Sequence, residues 1–428
     1  MICCYFYPME HDVLILGGGA AGFFTAINLA QMRPDIHIII LERGKDCLGK
    51  VRVSGGGRCN VTHAEFLPRE LTVHYPRGGR ELLGPFHRFM TGDTMAWFEE
   101  RGVPLKIEAD GRVFPESDSS QTIIDCFLTE AKTHNVTIKT KEAVKSIYKN
   151  NGNWQVTTPN AMYIASRLVA ATGSSPKIWK LLEGLGHKII PAVPSLFTFN
   201  CKDNRISDLP GISVGAHLEL IHKKTDAAIK NASGGRMDES GIVGPLLITH
   251  WGFSGPAVLK LSAIAARELH AIDYRFRLRV NWLMNTDFDE VVNVLKEFRQ
   301  QHGKQAIIKH DPFNLPKRLW QNLVAPFALS EKQTWAEIAK QQILEMATVL
   351  TRCDFDINGK STFKEEFVTA GGVDLKEVDF KTFQSRLYDK LYFAGEVLDI
   401  DAVTGGFNFQ NAWTSGYIAA TAIAESFE

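Results

Sequence analysis

Apolar, largely β-branched residues run from Val13 to Leu16 and stop at a glycine-rich turn, Gly17-Gly18-Gly19-Ala20-Ala21-Gly22. Beyond the turn the period changes. From Phe23 to Met32 apolar positions recur at helical spacing, Pro34 breaks the pattern, and a second apolar run from Ile36 to Leu41 ends at Glu42. Strand, glycine turn, helix, strand and acid, in that order, predict a βαβ unit that binds a dinucleotide. Gly17 allows the sharp turn, Gly19 lets the backbone approach a diphosphate, and Gly22 lets the helix pack on the strand. The first helical N–H groups, at Ala20 and Ala21, then point at that diphosphate. Glu42 lies 20 residues past Gly22, where its carboxylate reaches the adenosine ribose. A ribose carboxylate disfavours a 2′-phosphate, which leaves FAD or NAD.

The same reading continues along the chain. Lys50-Val-Arg52-Val-Ser-Gly55-Gly56-Gly57-Arg58-Cys-Asn60 is a second glycine-rich loop without the Lys-Ser/Thr ending of a Walker loop. Three glycines between arginines suit close approach to a flat or anionic ligand, although a surface loop has the same composition. A helix is expected from Gln121 to His134, capped by Ser119 or Ser120 and ended by Asn135. Strands are expected at Val136 to Lys139, Ala143 to Tyr148 and Trp154 to Thr157, with a hairpin turn at Asn150 to Asn153. A further pair of strands is read from Met162 to Ala171, ending at Thr172-Gly173, where a parallel sheet returns the chain to the ligand.

Pro191 and Pro194 mark a boundary. Short alternating segments from Ser195 to Trp282 predict a β-rich unit, a barrel or sandwich, and helical periodicity takes over from Asp287 to Leu350. The chain closes with a strand running into Gly395-Glu396, a loop through Asp399 and Asp401, and a helix from about Phe409 to Glu425. Segments at both ends of the chain thus address one extended ligand, which selects FAD over NAD. The domain organisation read from these signals is a first part of the FAD domain at 1–191, an insert at 192–366 and a C-terminal part at 367–428. Within the insert, the barrel takes about 192–284 and 351–366, and the helices about 285–350.

Composition narrows the partners. The 428 residues carry 48 Lys plus Arg and 48 Asp plus Glu, with no basic run, so a small molecule is expected rather than a nucleic acid or an anionic membrane surface. The two long uncharged stretches, Val13 to Met32 and Ala402 to Ala424, contain glycines, Asn and Gln, and neither reads as a membrane span. Met1 to Pro8 has no signal-peptide pattern and reads as a loose tail before Met9, a candidate start. Seven scattered cysteines without a CxxC fit reduced thiols in a cytoplasm and supply neither a metal nor a disulfide framework. The oligomeric state is left open between monomer and homodimer.

These motifs, with Gly111-Arg-Val-Phe-Pro115, Thr249-His-Trp-Gly-Phe-Ser-Gly-Pro256, Thr369-Ala-Gly-Gly-Val373 and Gly395-Glu-Val-Leu-Asp399 to Gly416, resemble the BaiN-like or YhiN-like NAD(P)/FAD-dependent oxidoreductases, also called the aminoacetone oxidase family. The resemblance runs in order from about Val13 to Ile423. It implies an α/β fold: a glutathione-reductase-type, Rossmann-like FAD domain interrupted by a β-barrel and helices. It further implies that Gly17 to Gly22 contact the pyrophosphate, that Glu42 and Arg43 hold the adenosine end, and that the Val144 backbone meets the adenine. Gly55, Gly56 and Asn60 would lie beside the flavin, and Gly395, Glu396, Gly406, Phe407 and Asn408 around the ribityl chain and pyrimidine ring. Phe407 replaces a common tyrosine and Ala402 a common glycine.

The chemistry is less legible. Arg52, Arg58, His63 and Arg112 sit in loops expected near the flavin, where any of them could anchor a carboxylate or deliver a proton; solvated or phosphate-facing roles fit them better. His250 and Trp251 read either as site residues or as a barrel-edge turn with a packed tryptophan. Cys59 lacks a partner for a redox disulfide. A single GxGxxG means that NAD(P)H, if used, binds transiently. Three functions are open: reduction of an activated double bond with NAD(P)H, oxidation of an amine or aminoketone to give hydrogen peroxide, and a flavoprotein acting on RNA or sensing redox state.

Overall fold

The computed structural model describes residues 9–229, 241–327, 330, 332–361 and 368–427. The expected tail Met1 to Pro8 and the expected boundary at 366/367 lie outside the described residues. The chain divides into two compact units, Met1–Val193 with Lys364–Glu428, and Pro194–Phe363.

The first unit is built on β1 (Met9–Leu16), α1 (Ala20–Met32) and β2 (Ile38–Leu41). Among the described residues the sheet has nine strands, and its main path runs Val378–Asp379, Gln384–Ser385, Leu391–Phe393, Met162–Ala170, β1, β2, Thr137–Lys139. The middle of this path is parallel. Val13 to Leu16 are fully buried, as expected of parallel strands covered on both faces. Register decides where the loops emerge. Leu16 lies opposite both Leu41 and Ala170, Leu41 opposite Lys139, and Ala170 opposite Phe393. All five strands end in line, so Gly17, Glu42, Thr172-Gly173 and Gly395-Glu396 leave the same carboxyl edge, where open α/β sheets bind ligands.

The final helix, Phe407–Glu425, packs along α1, and Gly416 is what lets them touch. A Cβ on Gly416 would lie 3.0 Å from Thr25 Oγ1 and 3.2 Å from Ala21 O. Trp413 anchors the same interface, its ring 5.2 Å from Phe24 and 5.6 Å from Phe127, with Nε1 donating to Val61 O at 2.9 Å.

Local expectations met two kinds of outcome. The Ser120–Thr133 helix has Ser119 as its cap, accepting from Gln121 N, and Asn135 takes a positive φ of 56° after it. The hairpin turn at Asn151 and Gly152 has φ of 49° and 83°, which only residues tolerant of left-handed backbone supply. Three readings are corrected. The expected strand pair from Met162 is one strand, Met162–Ala170, because no turn residue interrupts it. The expected strand from Ala143 starts only at Ser146, because the preceding residues turn back to β2: Lys141 N bonds Gly44 O and Glu142 N bonds Glu42 O, both at 2.8 Å. The second glycine loop begins as a helical turn at Gly49 and loses helical geometry at Ser54, Gly55 and Gly56.

The second unit contains a closed six-stranded barrel, in the order Thr198–Cys201, Gly252–Ser254, Ile242–Thr249, Ser213–Ile221, Arg275–Asn281, Cys353–Ser361. Its alternating inward residues, among them Phe199, Leu218, Leu246, Phe276, Leu278 and Phe355, are fully buried. Two helices, Pro256–Ile264 and Ala266–Ala271, interrupt what reads as an all-β stretch. Pro256 at the first helical position, with Ala257, Val258 and Leu261 buried behind it, is the signal that marks the first of them. Helices Phe288–Gln301, Lys317–Val324 and Lys340–Thr351 occupy the region of helical periodicity. Among the described residues no helix is long and apolar enough to cross a membrane.

Candidate functional site

The glycine turn makes its contacts with backbone. Gly17 has a φ of 106°, and a Cβ there would lie 2.4 Å from Ala171 O; a Cβ on Gly22 would lie 2.0 Å from Gly17 O. Gly19 differs. Nothing lies within 4 Å of its Cβ position, and as the N-cap of α1 it offers no side-chain cap, so the first N–H groups face outward. Ala20 and Ala21 open that helix. Glu42 holds the turn, its Oε2 accepting from Gly18 N at 2.9 Å and its Oε1 from Gly44 N at 2.7 Å.

Around Glu42, Arg43 is exposed and Val144 is buried. The backbone bonds from Lys141 and Glu142 to this loop tie the segment before Val144 to the same end of the sheet. A cavity of about 260 Å³ opens beside it, lined by Lys45, Asp46, Cys47, Leu48, Arg52, Ile124, Leu128, Ile138 and Thr140. The Arg52 guanidinium donates to Gln121 Oε1 at 2.8 Å.

The second glycine loop lies against the N-terminus of the final helix. Gly55, Gly56 and Gly57 all have positive φ; a Cβ on Gly55 would lie 2.9 Å from Phe114, whereas Gly56 and Gly57 face open space. Gly406 caps the final helix with φ 94° and no side-chain cap, and its Cβ would meet Thr62 O at 2.6 Å and Asn60 Oδ1 at 2.9 Å. Phe407 packs against two imidazoles, His63 at 4.6 Å and His74 at 4.1 Å, which lie 5.9 Å from each other. His63 Nδ1 lies 3.1 Å from Gly405 O, which makes Nδ1 the donor and leaves Nε2 against Gly111, whose Cβ position is 2.5 Å away. Asn408 is spent on structure, its amide exchanging bonds with Ala402 N and O at 3.0 and 3.1 Å. Gly395 N donates to Ser415 Oγ at 2.8 Å, and Glu396 Oε1 accepts from Thr369 N at 3.1 Å.

Two of the three candidate arginines, Arg58 and Arg112, are paired with carboxylates. Arg58 bonds Glu108 at 2.6 Å and lies 3.3 Å from Asp118; Arg112 reaches Asp110 at 2.7 Å and Glu108 at 3.1 Å; Lys106 reaches Asp118 at 2.5 Å. The Lys106 ammonium holds the Asp118 carboxyl below its ordinary range. Arg58 also stacks on Phe114, 3.9 Å from the ring centre. His250 belongs to the other unit, on the exposed turn between two of its strands. The tryptophan expected to pack there does not, since Trp251 is 65% exposed.

Cys59 is fully buried, and burial pushes its thiol up to about 12. It therefore stays protonated at neutral pH. Iodoacetamide at pH 8 is expected to leave Cys59 unmodified in the folded protein and to label it after denaturation; peptide mass spectrometry that finds Cys59 alkylated in the native chain refutes this. Among the described residues all cysteines are free, and no group of three or more His, Cys, Asp and Glu is arranged for a metal.

Several structural partners escaped the sequence reading. Tyr75 OH donates to Phe407 O at 2.5 Å, and the buried Arg77–Asp401 ion pair ties down the loop before Gly406. No local pattern marks these residues, because each partner lies more than 300 positions away.

The residues present fit a flavin dinucleotide. Three buried oxygens, Asn60 Oδ1, Thr172 Oγ1 and Asn411 Oδ1, have no hydrogen-bond partner in the protein, and buried polar atoms of that kind call for one. They accompany two uncapped helix N-termini and the open glycine positions 19, 56 and 57. Phosphates suit the first helix, and ring carbonyls suit the last.

Comparison with known proteins agrees. The family model described as HI0933-like protein Rossmann domain matches residues 11–422. A ribosomal RNA dihydrouridine synthase of Escherichia coli is 28% identical, with 96% of this chain and 97% of that protein covered. A 3-dehydro-bile acid delta(4,6)-reductase of Clostridium scindens is 27% identical, covering 96% and 98%. Among solved structures, 3-ketosteroid-delta4-(5alpha)-dehydrogenase from Rhodococcus jostii RHA1 is 13% identical with a TM-score of 0.50, covering 99% of this chain and 98% of that one. This last likeness is one of fold alone. The chain belongs to the HI0933-like family and is an FAD-dependent oxidoreductase of that family.

Proposed function

We propose that this enzyme reduces a carbon–carbon double bond conjugated to a carbonyl, with NAD(P)H as the transient electron donor. The observation that supports it is shared by the end-to-end relatives. A bile acid delta(4,6)-reductase and two dihydrouridine synthases, the second from Haemophilus influenzae at 26% identity, all carry names for adding two hydrogens across such a bond. When bound, FAD supplies two-electron transfer as hydride. The substrate's β-carbon accepts the hydride and its α-carbon a proton; His63 is the candidate for delivering that proton, and Arg58 and Arg112, each held by carboxylates, for orienting the carbonyl. The N–H groups at the start of the final helix would stabilise negative charge on a ring carbonyl held there.

For the substrate, a small organic molecule fits the local neutrality of Arg58, Arg112 and Lys106, each paired with a carboxylate, and the overall charge balance. A uracil ring in RNA is the second reading, favoured by the names of the dihydrouridine synthases. The cytoplasm, where both NAD(P)H and reduced thiols are found, is the compartment that goes with either.

Anaerobic mixing tests the reaction class. NADH or NADPH is expected to bleach the flavin absorbance, and a conjugated dienone ketone to restore it. A uridine-containing RNA that restores colour and gains 2 Da selects the second reading. Bleaching by aminoacetone, with none by either nicotinamide, would overturn the proposal in favour of an amine oxidase.

A further inference from the structure

Lys50 and Glu396 lie 346 positions apart, yet Lys50 Nζ is 2.5 Å from Glu396 Oε2. The glycine turn brings them together. Leu48, two residues before Lys50, donates its N–H to Gly18 O at 2.8 Å. Gly395, next to Glu396, packs on the far end of the same turn, where its Cβ position is 3.0 Å from Ala21 Cβ. The two side chains therefore start from backbone tied to the two ends of the Gly18–Ala21 segment, and they meet each other. Between those ends is Gly19, with open space in front of it. Glu396 is the anchored half, held by Thr369 N on its other oxygen, and its Oε2 is 3.5 Å from the Cβ position of Gly173. The Lys50 side chain is 57% exposed against 19% for Glu396, so water and salt reach the pair from the lysine side.

We propose that the Lys50–Glu396 ion pair is a gate over the diphosphate seat, which opens for FAD to enter and to leave. The proposal rests on the FAD assignment and adds a control on how fast the cofactor exchanges. An ion pair reached by solvent is weak and screened by salt, so the gate slows exchange by about threefold to fivefold and yields to ionic strength. A lysine that simply binds a phosphate behaves differently: losing it speeds release and does not speed uptake.

Stopped-flow quenching of FAD fluorescence on the apo-protein gives the uptake rate, and recovery of fluorescence on dilution of the holoprotein gives the release rate. K50A and E396Q are each expected to raise both rates about threefold, and K50E/E396K to restore slow exchange with the charges reversed. Added salt is expected to accelerate the wild type and not K50A. Faster release of K50A with unchanged or slower uptake overturns the gate and makes Lys50 a phosphate ligand. Unchanged rates in K50A and E396Q also overturn it. A wild-type apo-protein that takes up no FAD overturns the gate and the cofactor assignment together.

Discussion

Gly19→Ala is expected to weaken FAD binding by about 10- to 100-fold while leaving the apo-protein folded. A methyl group at Gly19 meets no protein atom within 4 Å, and the backbone there, φ −97° and ψ −170°, is open to alanine. The cost to the fold is that of a poorer N-cap, about 1 kcal/mol, or a melting temperature lower by about 1–2 °C. The cost to the ligand is larger, because the methyl occupies the line along which a diphosphate approaches the backbone. Overpacking of that size costs about 1–3 kcal/mol, and each 1.4 kcal/mol is tenfold in affinity. Gly22→Ala is the contrast. Its Cβ would lie 2.0 Å from Gly17 O, so the turn itself must shift, and stability and affinity fall together. Titration of apo-protein with FAD beside a thermal melt separates the two. A G19A variant that binds FAD as tightly as wild type would show that the diphosphate lies elsewhere.

The second large effect is expected at the Arg77–Asp401 pair. Arg77 is 5% exposed and Asp401 fully buried, and the guanidinium meets both carboxylate oxygens, with Nη2 to Oδ2 at 2.5 Å. Two-point contact of this kind is strong and directional. Asp401→Asn removes the carboxylate from one side of a buried, two-point ion pair, which costs about 3–5 kcal/mol. Replacing both partners with apolar residues, as in R77M/D401L, is expected to cost less than the single change. Urea unfolding of the three proteins tests this ordering. A loss below about 1 kcal/mol in D401N would mean that the pair does not hold the loop. Because Asp401 leads directly into Gly405-Gly406 and the final helix, the same variant is expected to bind flavin more weakly than wild type.

Much of the fold was legible because its signals are local. The switch in apolar period at Gly17, the cap at Ser119 and the turn at Asn151-Gly152 each depend on neighbours within a few residues, and sequence displays such neighbours directly. The barrel strands were visible by alternation, but the helix at Pro256 was masked by the β pattern on either side of it. At the site, the glycine turn and the acid that follows β2 were legible for the same local reason; that Glu42 accepts from Gly18 N and Gly44 N was not. The fates of Arg58, Arg112 and Asn408 were not. All three are side chains of the kind that address ligands, and in the folded chain they are engaged by Glu108, Asp110 and the Ala402 backbone. Such engagement depends on partners supplied by other elements, which residue type alone does not reveal.

By itself, then, the sequence determined that a βαβ unit with an uncapped, glycine-rich helix start would form and that it would take a dinucleotide, because turn geometry and helix dipoles are properties of short segments. Only the tertiary structure decided what faces that turn. Parallel register ends five strands in line and brings residues from near 17, 42, 172 and 395 to one edge. Close helix crossing at Gly416 and the ties at Tyr75 and Arg77 then set the last helix with its N-terminus against the Asn60 loop. The physical reason is range: local preferences act over a turn or two, while charge pairing, close packing and register act between segments that meet only when the chain has folded.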